Sequence, residues 1–197
     1  MKIFKEYFED METRVERIAL LPGGFKPPTK GHFNALRYLL NDADGGADRG
    51  IVFIGSGVRD GITPEQSEKI WNIYAKYFHK PVEIVSVPNP VIATYKFADK
   101  NLDKKLLVGA GGPREREDGT KDEGDIERYE YFVKNVDKYP LVNVVEIPSQ
   151  EEGMSGTNVR KEIEKDIEQG LEYFVPKEII TSKDDMQAIE EILTRGN

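Results

Sequence analysis

Leu20-Leu21-Pro22-Gly23-Gly24-Phe25-Lys26-Pro27-Pro28-Thr29-Lys30-Gly31-His32-Phe33 is the stretch that decides how this chain folds. The apolar run from Ile18 to Leu21 stops at Pro22, two glycines follow, and Pro27-Pro28 builds a turn. A helical pattern resumes at Gly31-His32. The stretch reads as a strand, a glycine-rich turn and a helix with a histidine in its first turn. A helix start presents unpaired amides that attract anions, and glycines let a ligand approach the backbone. The phosphates of a nucleotide are expected here.

Working outward, Arg17–Leu21 is the first strand, and residues 31–41 form a helix with Phe33, Leu36, Leu39 and Leu40 inward. Residues 41–50 are loop. Ile51–Ile54 is a second strand, apolar throughout as a strand covered on both faces should be. It ends in Gly55-Ser56-Gly57. Thr63 caps the next helix, with Pro64 at its first position and Gln66 completing a capping box. Its inward stripe is Ile70, Trp71, Ile73, Tyr74, Tyr77 and Phe78, so Trp71 reads as core rather than as a base-stacking surface. His79, before Pro81, reads as a cap at the end of that helix. Residues 82–87 form the third strand, and Pro88-Asn89-Pro90 leads into a short helix through Phe97.

Residues 105–108 form the fourth strand, closed by the turn Gly109-Ala110-Gly111-Gly112-Pro113. Residues 114–125 are dense in charge and read as a mobile loop. A helix over 125–139 follows, with Ile126, Tyr129, Phe132, Val133 and Val136 inward, and 141–147 is the fifth strand. Ser155-Gly156-Thr157 opens a helix running to about Gln169. A short apolar segment, 171–180, is broken by Pro176, and 183–194 is a last amphipathic helix. Residues 2–13 read as a packing helix carrying Ile3, Phe4, Tyr7, Phe8 and Met11. Strands alternating with helices predict an α/β fold: a Rossmann-like three-layer sandwich with a five-stranded parallel sheet and helices on both faces. The glycine-rich turns after strands one, two and four fall at the carboxyl edge, where such sheets bind ligands.

Composition narrows the function. At 197 residues the chain suits one ordinary domain, able to bury about two-thirds of its unfolded surface. It has no cysteine, which excludes a disulfide framework and a thiolate zinc site. The charged N-terminus reads as neither a signal peptide nor a membrane span, so a cytoplasmic location is expected. A net charge of −8 speaks against a broad nucleic-acid-binding face. It leaves room for a small anionic ligand near Lys26, Lys30 and Arg37.

Gly23-Gly24-Phe25-Lys26-Pro27-Pro28-Thr29-Lys30-Gly31-His32 resembles the first motif of the nucleotidylyltransferase superfamily, G-x-F-x-P-x-[HT]-x-G-H. Met154-Ser155-Gly156-Thr157-Asn158-Val159-Arg160 resembles its second, [IM]-S-x-T-x-x-R. The resemblance spans residues 17–176, leaving 1–13 as an N-terminal helical appendage and 177–197 as a C-terminal helical extension. It implies a HUP-type fold and transfer of a nucleoside monophosphate to a phosphate-bearing acceptor, with Mg2+ held by the substrate phosphates and no metal site assigned to the protein. The spacing looks most like nicotinamide-nucleotide adenylyltransferases, favouring ATP over CTP. Pantetheine phosphate and glycerol phosphate remain open as acceptors. The pattern is also similar to stand-alone transferases of large tailed phages. Relatives often form oligomers, so a homo-oligomer belongs to the same expectation. A nucleotide-binding module without turnover is the competing class, and tRNA-linked work is weighed down by the acidic balance.

The chemistry accounts for the residue types. The acceptor attacks the α-phosphorus, so the site must align two anions and neutralise charge on the leaving pyrophosphate. His32 and Thr29 are expected at the α- or β-phosphate, with Lys26 as a nearby cation. Gly23, Gly24, Phe25, Gly31 and Gly109 shape the nucleotide site. Ser155 or Thr157 caps the second helix, Gly156 lies between them, and Arg160 grips phosphate through paired donors. Gly55, Ser56 and Arg114 are assigned to the acceptor, with Arg114 and Arg116 folding over it.

Overall fold

Residues 17 to 23 feed two cores at once. Ile18 and Leu20 join one apolar cluster and Ala19 and Leu21 the other, all 5% exposed or less. That alternation is what a strand buried on both faces requires. In the computed structural model, which describes residues 14–112, 114–115, 121–122, 124–148 and 156–194, this strand is the middle of the sheet.

The strands are β1 (Arg17–Gly23), β2 (Arg49–Gly55), β3 (Val82–Val87), β4 (Lys105–Gly111), the short pair β5 (Arg114–Glu115) and β6 (Lys121–Asp122), and β7 (Val142–Ile147). The main sheet has five parallel strands in the order β3-β2-β1-β4-β7. The chain winds outward from β1 to β3, then returns to lay β4 on the other side of β1. The order reverses between β1 and β4, which sets a crevice beyond their carboxyl ends.

The helices are α1 (Lys30–Asn41), α2 (Pro64–Ala75), α3 (Pro90–Lys100), α4 (Glu130–Lys134), α5 (Gly156–Lys165), α6 (Ile167–Phe174), α7 (Lys177–Ile180) and α8 (Lys183–Thr194). On one face of the sheet α1 and α2 pack on the strands, and α5, α6 and α8 extend the same apolar cluster, through residues such as Leu36, Trp71, Val159, Phe174 and Ile189. The other is covered by α3 and the segment around Tyr129 and Phe132. The result is a Rossmann-like α/β sandwich. Thr63 caps α2 as its sequence predicts: its Oγ1 accepts from the Gln66 amide at 3.2 Å, and Gln66 Oε1 accepts from the Thr63 amide at 2.8 Å. Gln66 also reaches the Ile192 carbonyl at 2.7 Å, tying α8 to α2.

Several expectations are corrected. β4 runs on to Gly111, so Gly109 lies inside a strand rather than in a turn. A Cβ there would sit 2.8 Å from Leu39 Cδ1 and 3.3 Å from Ile147 Cδ1, so this glycine is matched to the core. The charged 114–125 stretch is not plain loop, because β5 and β6 pair antiparallel within it. The 125–139 helix is broken: a 3-10 turn over Ile126–Tyr129 precedes α4, which ends at Lys134. That change of period leaves Val133 and Val136 exposed, at 68% and 61%. The 155–169 helix is likewise split, because Asp166 accepts from the Gln169 amide and starts α6. α2 ends at Ala75 with Lys76 as its C-cap, so exposed His79 does not cap it. The N-terminal segment 1–13 lies outside the described residues.

Candidate active site

The turn after β1 is folded back on itself. A side chain at Gly23 would place its Cβ 2.6 Å from Phe25 Cζ, so glycine here makes room for the Phe25 ring over the strand end. Phe25 is buried with a positive φ of 50°. Its ring packs edge-on against His32, with centroids 4.9 Å apart, and against Trp71 at 5.4 Å. Two hydroxyls of α2 brace the turn from behind: Ser67 Oγ donates to the Phe25 carbonyl at 2.6 Å and Tyr74 Oη to the Pro28 carbonyl at 3.1 Å. Burial holds the Tyr74 phenol well above its usual pKa, so it stays a donor.

Lys26 is buried within this turn. Its Nζ donates to the Gly24 carbonyl at 2.7 Å and the Gly55 carbonyl at 3.0 Å, bridging the ends of β1 and β2. Burial lowers its pKa to about 8, with nearby Glu65 opposing the shift and Arg59 reinforcing it. Folded Lys26 therefore loses its proton near pH 8, whereas the unfolded chain holds it to 10.5. Between those values the unfolded state binds more protons, so stability rises with pH. Below pH 8 both states are charged and the burial cost is fully present. Wild type should gain on the order of 1–3 kcal/mol relative to Lys26→Met between about pH 7 and pH 10. Denaturant unfolding at both pH values reads the gain, and a constant difference between the two proteins would contradict it.

Thr29 is the N-cap of α1 and is buried. Its backbone amide donates to His32 Nδ1 at 3.0 Å, and its Oγ1 lies 3.0 Å from the same nitrogen. Because that amide can only donate, Nδ1 is an acceptor, and the ring carries its proton on Nε2. The cap thus sets the tautomer and makes Nε2–H a donor. Gly31 sits between them in the first helical turn. Lys30 lies over the Tyr173 ring of α6, 5.7 Å from its centroid.

The second motif meets the first directly. Val159, fully buried, anchors α5 in the apolar cluster on that face, and Arg160 beside it reaches the β1 turn. Arg160 Nη1 donates to the Lys26 carbonyl at 2.9 Å and Nη2 to Thr157 Oγ1 at 3.3 Å. Its Nε bonds the Asp60 carboxylate. Two motifs some 130 residues apart in sequence therefore share one guanidinium, whose side chain is 11% exposed. Asp60 is a site residue that the sequence reading missed. Asp60-Gly61 is a strong signal for a tight hairpin turn, but a turn signal does not say where its tip points.

The remaining candidates are placed less centrally. Gly24 is exposed at the turn and Gly156 opens α5, while Ser155 and Arg116 lie outside the described residues, as does the Arg114 side chain. Gly55 offers its carbonyl to Lys26, and Ser56 Oγ reaches the Pro88 carbonyl at 3.5 Å. Trp71 is fully buried, with no hydrogen-bond partner for its indole nitrogen. Among the described residues no group of three or more His, Asp or Glu could hold a metal ion. No helix among them is long and apolar enough to cross a membrane.

Comparison with known proteins gives the fold a class. No family model matches this chain, and no curated protein matches it. Solved structures do. The likeness they show is one of fold. The chain is similar to the nicotinic acid mononucleotide adenylyltransferase of Plasmodium falciparum complexed with NaAD, at a TM-score of 0.57 and 14% identity, covering 91% of this chain and 97% of that one. It is also similar to the same enzyme complexed with APC, at a TM-score of 0.53 and 15% identity, covering 91% and 96%.

Proposed function

We propose that this chain is an adenylyltransferase that moves AMP from ATP onto a phosphate-bearing acceptor such as nicotinamide mononucleotide, releasing pyrophosphate. The observation that carries the reading is the junction of the two motifs at Arg160, beside a histidine whose cap leaves a donor on Nε2. An acceptor phosphate oxygen forms a bond to the α-phosphorus, and the bond from that phosphorus to the bridging oxygen of the β-phosphate breaks. No covalent enzyme intermediate is required. His32 Nε2–H and the first amides of α1 stabilise negative charge at the α-phosphate. Arg160 and the first amides of α5 receive the β- and γ-phosphates.

Lys26 acts from behind the site, holding the turns after β1 and β2 at a fixed spacing. The donors gathered here suit anions, so Mg2+ would be carried on the triphosphate, where it would neutralise charge on the leaving group. The base and acceptor are settled by a pyrophosphate-release panel with magnesium: each of four nucleoside triphosphates against nicotinamide mononucleotide, pantetheine phosphate and glycerol phosphate. ATP with a nucleotide acceptor should respond. Silence across the panel, together with measurable triphosphate binding, would leave a binding module instead.

A further inference from the structure

The site contains a negative charge that the transfer chemistry does not use. Arg59 and Ile62 exchange two backbone hydrogen bonds, at 3.1 Å and 2.9 Å, around Asp60 and Gly61. Both central residues have positive φ, 46° and 78°, as a two-residue type I′ turn requires. The turn is therefore a fixed mount, and its tip delivers the Asp60 carboxylate to Arg160 Nε. The Asp60 side chain is 59% exposed, and among the described residues its partner is Arg160. The other two guanidinium nitrogens are bonded to Lys26 and Thr157. Carboxylate and phosphate compete for the same guanidinium donors, because both offer paired oxygens to its planar fork.

We propose that Asp60 is an internal competitor for the phosphate site. It holds Arg160 across the β1 turn when no nucleotide is present, yields the guanidinium to an incoming polyphosphate, and takes it back as pyrophosphate leaves. This inference rests on Arg160 being a phosphate ligand, as in the function proposed above. Asp60 then weakens binding of every polyphosphate to a similar degree, whatever the base.

The test is a calorimetric titration with inorganic tripolyphosphate and magnesium, which needs neither acceptor nor turnover. Asp60→Asn is the variant of choice, since asparagine suits positive φ in this turn and the change removes only the charge. Asp60→Gly keeps the turn by another route and serves as a second variant. Each should bind tripolyphosphate about fivefold more tightly than wild type. In an Arg160→Gln background the same substitutions should change nothing. Equal affinity of wild type and the Asp60 variants would overturn the competitor role while leaving nucleotidyl transfer standing. The same gain in the Arg160→Gln background would also overturn it, because the effect would then be a general field and not competition. No binding by any variant would overturn both the competitor role and the phosphate site itself.

Discussion

His32→Ala should lower turnover about 10²-fold or more, because in the proposed transfer it would remove a preorganised donor to charge that develops in the transition state. The same change exposes a second role. His32 Nδ1 accepts the Thr29 amide, so alanine leaves the first turn of α1 without one cap and costs about 1 kcal/mol of stability. His32→Gln separates the two roles. Glutamine at this helix position returns its side-chain oxygen to the capping residue, as Gln66 does for Thr63 in α2 at 2.8 Å. His32→Gln should therefore recover stability and remain slow, because its amide, committed to the cap, does not reach as far as the imidazole edge. Steady-state kinetics beside thermal unfolding checks both halves. Near-normal turnover of a folded His32→Ala protein would show that the ring has no part in transfer.

Arg160→Ala should have a comparable effect by a different route. It removes the fork that joins the motifs and leaves the Lys26 carbonyl and Thr157 Oγ1 without that partner. Turnover should fall about 10²-fold or more, as loss of a transition-state contact does. The Michaelis constant for the triphosphate should rise as well, since in the proposed transfer the β- and γ-phosphates would lose their paired donors. Asp60 is mostly exposed, so losing its counter-ion costs little stability. Arg160→Lys keeps the charge without the fork and should recover only part of the activity. A folded Arg160→Ala protein with unchanged constants would remove Arg160 from the site.

Much of this arrangement is legible in the sequence, and the exceptions have physical causes. The strand, turn and helix around Gly23–His32 follow from local rules: an apolar run, glycines and prolines at a break, then a capping residue. The Thr63–Gln66 box and the boundaries of α8 are equally local. The continuous apolar runs of β1, β2 and β4 mark the strands buried on both faces. Non-local geometry is what the pattern does not contain. Gly109 sits in a run of glycines and looks like turn, yet its place is set by Leu39 from a different helix. Val133 and Val136 fit a helical period on paper, but the 3-10 start and early end of α4 put them outside. Lys26 reads as a free cation until its ammonium is found against two carbonyls, one of them 29 residues away. Asp60 lies 100 residues from Arg160, and no local signal connects them.

Labelled ATP tests whether the α-phosphorus is the point of transfer. With ATP labelled at the α-phosphate, magnesium and nicotinamide mononucleotide, the label should appear in a dinucleotide product. With ATP labelled at the γ-phosphate it should appear only in pyrophosphate. Label passing from the γ-position to the acceptor, or ATP bound with no label leaving it for any acceptor of the panel, would contradict the proposed transfer.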